Sequence, residues 1–561
     1  MAHGRKGIHT KKRENRDKRT DSVPAAACRF LRGFLDYGIC LYFILILAAM
    51  PFYCQDGYSH IGTDKAVFFC KVSTGVMCTL LPVAAVYLAI QAAVLRKGGK
   101  VWKLSGIFRN RTDFFAVLYG AALVISYLCS RHKEVALWGA KRWYMGFWPQ
   151  MFLILIYFLV SVFWKPRKWM FGLMMAVAAV VFVLGYLNRF SVYPIQMKLQ
   201  NPQFISTIGN INWYCGYVVP VLLAGVGLLW LNEGGAGGKK KISDKFRGKL
   251  PAAACAVYIL AGFGTLITQG SDSGIVALAV VLLVMFWLSA EAGDRMLSFF
   301  RIMLLLCGAC MATAVIWKAV PERMNYRSGG MDMLLSVRVL VPMTVVSLFF
   351  FLWVYGKQKK GTYCGRRMQY LALGTAAAAA AGVVLLLTMA AVNTLRPGSL
   401  GALSSNPFFT FSDSWGSNRG ATWKAGWMCF TEQDILHKFT GVGPDSMWEE
   451  IRTRGSEGLR EMINRNFGNL NLVNAHNEWL TILVNTGLLG LTGFAGMMVT
   501  GIAGFLREGR KNPFACVCGL SLLGYTVNNI FSFQQAMGVA VLFAIFGMGR
   551  AFQKTEKGNQ P

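Results

Sequence analysis

The 561-residue sequence is 55% hydrophobic and only 15% charged, where a soluble protein carries roughly 25% charged residues. Windows of about twenty nearly uncharged residues recur along it, the span that crosses a bilayer's hydrocarbon core, so a soluble enzyme and a single anchored domain are both excluded. The charge is 58 Lys+Arg against 26 Asp+Glu, a net +32, which raises nucleic acid as a partner until that charge is placed along the chain.

Residues 1–33 form a basic cytoplasmic tail, with KKRENRDKR at 11–19, expected to be disordered to about residue 27. The first apolar stretch, 34–53, is long enough to span and ends without a small-residue cleavage site, so it reads as an anchor and not a cleavable signal. Further spans are expected near 73–95, 114–130, 147–164, 169–187, 208–231, 250–268, 275–292, 302–320, 339–356 and 370–392. Three more follow near 487–506, 514–528 and 535–550, making about fourteen helices of an all-α polytopic membrane protein. With the N-terminus inside, 38 of the 58 Lys+Arg, counting Arg550 at the inner end of the last span, fall in the segments that alternate to the cytoplasm, as the positive-inside rule requires. Both termini are then cytoplasmic. The basic charge is topological, and nucleic acid drops out.

The chain thus divides into the tail (1–33), eleven spans (34–392), a large extracytoplasmic loop (393–474), an amphipathic helix with the last three spans (475–550), and a short cytoplasmic end (551–561). The large loop holds eight Lys/Arg and eight Asp/Glu; a connection this long is functional or folds as a small domain. Within it, 444–464 alternates apolar and charged residues with helical period, which predicts an amphipathic helix on the outer surface or a surface helix packed on the spans. The fourteen cysteines form no framework and have no metal-type spacing with histidine, leaving room only for a Cys54–Cys70 bridge.

The spans carry few charges, unlike a transport path. Basic residues collect instead at outward span ends and in outward loops, among them Arg189, Arg327, Arg338 and Arg419. They can hold an anionic headgroup together or snorkel singly to lipid phosphates. Arg419, Trp423 and Trp427 recur at helical spacing and share one face, a packing stripe or part of a site. Gly441-Val-Gly443-Pro444 is a tight turn able to bring backbone N–H groups to a ligand. Asn474 is a reasonable N-cap, so His476 is expected in a first helical turn, where the dipole favours anions and a neutral imidazole. Such a histidine suits a proton acceptor.

These residues resemble a family. His476-Asn477, nine residues, then Gly487-Leu-Leu-Gly490 looks like the signature of the bacterial O-antigen ligase and O-antigen polymerase superfamily. Arg419 with Trp423, the Gly441–Pro444 turn, and Asn210-Ile-Asn212 at the outer end of the sixth span resemble its other elements, over roughly residues 205–495. The resemblance implies a GT-C-like integral-membrane glycosyltransferase, metal-independent and without cofactor, in cell-surface polysaccharide biosynthesis in the bacterial plasma (inner) membrane. Its donor would be a glycan on a polyprenyl-pyrophosphate (undecaprenyl-type) carrier, its acceptor a saccharide, and its surroundings the membrane lipids. Arg419 then matches a pyrophosphate-binding arginine, and His476 the essential histidine, as base or as pyrophosphate ligand. Asn210, Asn212, Gly443 and Asn477 fall on the substrate-binding motifs. One departure stands out: the family's Ser-Arg-Gly at a mid-chain span start reads Gly270-Ser271-Asp272-Ser273-Gly274 here. Either Arg189, Arg327 or Arg338 replaces the missing arginine, or Asp272 serves the acceptor side. Ligase and polymerase share these motifs; a flippase of lipid-linked glycans is the alternative from another class.

Overall fold

With no water in a bilayer to satisfy N–H and C=O groups, apolar runs this long fold as helices that close their own hydrogen bonds. The computed structural model describes residues 23–96, 110–233, 252–468, 470–508 and 512–556; most of the expected basic tail and the cores of two basic loops lie outside the described residues. In chain order the helices are α1 (Val23–Ile44), α2 (Ile61–Arg96), α3 (Arg111–Cys129), α4 (Lys133–Trp138), α5 (Phe147–Phe163), α6 (Trp169–Arg189) and α7 (Ile211–Glu233). Next come α8 (Ala252–Thr268), α9 (Ser273–Ser289), α10 (Gly293–Ala319), α11 (Gly329–Leu335), α12 (Val337–Lys359) and α13 (Gly365–Leu395). The long loop contributes α14 (Trp415–Thr431), α15 (Ile435–Thr440), α16 (Met447–Arg454) and α17 (Glu457–Phe467), and the chain closes with α18 (Glu478–Arg507), α19 (Pro513–Asn528) and α20 (Ala536–Glu556). The only sheet among the described residues pairs β1 (Phe204–Ile205) antiparallel with β2 (Gly209–Asn210).

The fold is all-α and polytopic. Among the described residues, ten helices are long and apolar enough to cross a membrane. The other four expected spans, α5, α8, α9 and α19, are apolar helices of 16 or 17 residues, about 24–26 Å long and so shorter than a typical hydrocarbon core. Gly487 breaks α18 with φ 67° and ψ −171°, which separates a short first segment from the twelfth span where the sequence divides them.

In lipid, helices associate through close packing and not through burial of oily surface. The apolar windows of α7 and α20 are wholly buried, whereas none of α13's is; α7 and α20 are the centre and α13 lies at the periphery. α18 lies along α3, and a Cβ on Gly493 would fall 2.6 Å from the Tyr119 backbone nitrogen, so the two backbones touch. The end of the bundle away from the long loop is pinned by ion pairs. Arg550 Nη2 lies 2.8 Å from Asp113 Oδ2, Tyr157 donates to Asp113 Oδ1 at 2.6 Å, and Arg167 Nη2 meets Asp36 Oδ2 at 2.5 Å. Buried charges persist there because each has its partner.

Helices α14, α16 and α17 share a separate small core that includes Ala425, Cys429, Met447, Ile451, Leu459 and Ile463. The single amphipathic helix expected over 444–464 is two, split at Gly455 and restarted by Ser456, whose Oγ accepts from Leu459 N at 3.2 Å. Their apolar faces turn into this core, so they serve the loop's own fold. Cys54 and Cys70 are both free thiols.

From the charge balance the long loop is expected outside the membrane and the α12–α13 turn inside, and one label tests it. Cys364, exposed in that turn, should resist an impermeant maleimide on sealed right-side-out vesicles and react once they are permeabilised. Labelling of the intact vesicles at Cys364 would invert the topology.

Candidate functional site

Arg419 owes its position to a backbone detour. Gly416, Ser417 and Asn418 all take left-handed φ/ψ, and α14 runs regularly only from Arg419 onward. The guanidinium folds back: Nε donates to Phe531 O at 2.9 Å and Nη1 to Gly416 O at 3.0 Å. Burial pulls its pKa below the usual range, with the Asp272 carboxylate opposing. As expected, Trp423 and Trp427 follow on the same face. Trp423 stacks on Phe531 with centroids 6.0 Å apart, whereas Trp427 is exposed.

His476 is not in the first turn of a helix. The cap is Asn477, whose Oδ1 accepts from Leu480 N at 3.0 Å, and α18 begins at Glu478. Asn474 instead holds the His476 amide, accepting it at 3.1 Å. His476 itself sits in the left-handed region at φ 50°, a conformation that costs a non-glycine residue and persists only where its surroundings impose it. Its ring stands edge-on to Phe533 with centroids 4.9 Å apart, and its Nδ1 is buried without a hydrogen-bond partner. Burial, and then the Arg419 charge, hold the imidazole down at about 4. The expected neutral ring is there, but burial and a neighbouring cation produce it, not a helix dipole.

Around this pair the fold gathers polar groups from three further elements. Asn210 Oδ1 accepts the Asn212 amide at 2.9 Å and starts α7. Asn212 Oδ1 accepts from Ser271 Oγ at 3.1 Å, and Asp272 Oδ1 accepts from Gly330 N at 3.1 Å. Cys215 and Ser273 both donate to Asn528 Oδ1, at 3.2 and 2.9 Å. The Asp272 carboxylate acts on the Arg419 charge and Arg419 on His476, so Arg419, His476, Asn212 and Asp272 form one cluster at the long-loop end.

The remaining expected substrate-binding residues do other work. The Gly443 amide is taken by Asn485 O at 3.0 Å and that of Val442 by Val484 O at 3.2 Å, so this turn docks on the α18 break and has no N–H to offer a ligand. Arg189 is fully buried: it donates to Pro202 O at 2.5 Å and to Gln269 O, with Tyr326 over its guanidinium. Arg327 pairs with Asp332 at 2.9 Å and covers Trp317. Arg338 is exposed on the first turn of α12, with no ion pair among the described residues. Arg189 and Arg327 are thus engaged by groups of the protein itself, whereas Arg338 stands exposed. Sequence reasoning missed Asn528, Asn529, Phe531 and Phe533, all in one short connection between apolar helices.

Asp445 Oδ2 accepts the Ala140 and Met145 amides at 2.8 and 3.2 Å and so fastens the 139–146 turn to the long loop. A cavity of about 30 Å³ adjoins it, lined also by Asn474, Glu478 and Phe533. Burial pushes the Asp445 carboxyl up from 3.8 to about 7, against those two bonds. A raised carboxyl pKa means stability that is complete below pH 4 and lost as pH climbs through about 7. Wild-type Tm should therefore fall from pH 5 to pH 8 relative to Asp445→Asn, whose amide oxygen keeps both bonds. Parallel Tm profiles would show that Asp445 does not ionise in this window.

No protein-family model matches the chain, and no curated protein matches it. What the site can do rests on its chemistry. One guanidinium at the start of a regular helix favours an anion, and an uncharged imidazole beside it can take a proton. Among the described residues no group of three or more His, Cys, Asp or Glu could hold a metal ion.

Proposed function

We propose that this protein is an integral-membrane glycosyltransferase of the O-antigen ligase type. It moves a glycan from a polyprenyl-pyrophosphate carrier to an acceptor sugar on the outer face of the bacterial plasma membrane, with both termini in the cytoplasm. The observation that carries the reading is the pairing of His476, its Nδ1 unpartnered and its ring neutral, with the Arg419 charge. The acceptor hydroxyl attacks the anomeric carbon as the bond from that carbon to the pyrophosphate oxygen breaks. His476 takes the hydroxyl proton, and the charge growing on the pyrophosphate falls to Arg419. An imidazole held at about 4 is uncharged near neutral pH, which favours the base role over that of a cationic ligand.

The test uses purified protein in liposomes with lipid-linked glycan from its own host, a crude acceptor fraction and no nucleotide sugar. Glycan leaving the carrier supports the proposal, and product length separates whole-chain ligation from polymerisation. Carrier lipid that crosses the bilayer without transfer would leave a flippase.

A further inference from the structure

Residues 528–533, where α19 ends and the connection to α20 begins, touch the site from several sides. Asn528 reaches α7 and α9 through Cys215 and Ser273, Phe531 O accepts from Arg419 Nε, and Phe533 lies against the His476 ring. Between them, Asn529 grips the start of α18 twice. Its backbone oxygen accepts the Glu478 amide at 2.9 Å, and its Nδ2 donates to Glu478 Oε2. Asn528 Nδ2 in turn donates to Asn529 Oδ1 at 2.8 Å, so both ends of the Asn529 amide are committed and its orientation is set.

Glu478 lies two residues after His476 and is 2% exposed. A carboxylate is costly to bury, and simple packing does not call for one. His476 needs an outside hold, because its left-handed backbone is strained and its ring makes no hydrogen bond through Nδ1. We propose that Asn529 and Glu478 are a positioning pair: one short turn holds Arg419 by Phe531 O and the His476 segment by Glu478, and so sets the spacing between base and cation. This inference rests on the transferase reading, and it concerns geometry, since neither residue need touch the glycan. A misplacement of about 1 Å at a reacting group can cost on the order of a hundredfold in rate.

The liposome assay with two variants tests the pair. Asn529→Asp sets a carboxylate against Glu478, and transfer should fall about tenfold or more through kcat, with KM for the lipid-linked donor within about twofold. The double variant Glu478→Gln/Asn529→Asp restores the bond with donor and acceptor exchanged, and should return to within about threefold of wild type. Both are compared as monodisperse protein after gel filtration; if the single variant does not fold, the folded double variant decides alone. Wild-type transfer by Asn529→Asp, or a folded double variant with no recovery, would overturn the pair. A wild type that transfers nothing would overturn the transferase reading instead.

Discussion

Replacing His476 with alanine should lower glycan transfer by roughly two to four orders of magnitude, the contribution of a positioned general base. The pH profile makes this specific. The imidazole is held at about 4, so it stays an acceptor throughout the physiological range and protonates only on strong acidification. Wild-type kcat/KM should thus hold as pH falls past 6.5 and decline only near 4. Because the Arg419 charge helps hold that value down, Arg419→Gln should shift the acid limb of its residual activity upward. Bound pyrophosphate acts in the same direction, so the limb in kcat should lie above that in kcat/KM. Full transfer by His476→Ala would remove His476 from the chemistry, whereas an acid limb near 6.5 in wild-type kcat/KM would show that burial and Arg419 do not hold the imidazole down.

Gly487→Ala should cost about 3 kcal/mol of stability or more, for reasons that are steric and not catalytic. Its φ of 67° with ψ of −171° is backbone space that only glycine enters freely. A Cβ there would also stand 2.3 Å from Phe439 O. The opposite face repeats the constraint: a Cβ on Gly441 would lie 2.2 Å from Asn485 O. Between them Val442 and Gly443 donate to Val484 O and Asn485 O, while Ser126 and Ser130 of the α3 end donate to Asn485 O and Val442 O, each at 2.7 Å. The variant should show a Tm lowered by several degrees and a loss of transfer, since the first segment of α18 also carries the His476 turn. Gly458→Ala, on exposed α17 with open space around the glycine, is the control; it should be neutral or slightly stabilising. Equal Tm values for the two would show that the break is not a lock.

The Gly441–Pro444 turn, which reads as ligand-facing in one dimension, and the Gly487–Gly490 motif are thus halves of one joint. Spacing along the chain revealed that Gly441–Pro444 and Gly487–Gly490 are special but could not say that each answers the other. Arg189 fails the same way. A basic residue at an outward span end reads as a phosphate contact, and only Pro202 O, just ahead of β1, and Gln269 O make it a structural donor. Read from the sequence, the N-cap before α18 falls at Asn474, but Asn477 is as good a local candidate, and the backbone turn at His476 makes Asn477 the cap.

The sequence by itself determined that this is an all-α polytopic membrane protein, because hydropathy over about twenty residues and the run of Lys and Arg are local properties that lipid reads directly. It also singled out Arg419 and His476, since few polar side chains are placed where such chemistry is affordable. Only the tertiary structure decided that they cluster with Asn212 and Asp272, and that Arg189 and Arg327 already have partners within the protein. It alone showed that the 528–533 turn binds the site together. These are contacts between residues tens to hundreds of positions apart, and no local pattern encodes which carbonyl or carboxylate a distant side chain will meet.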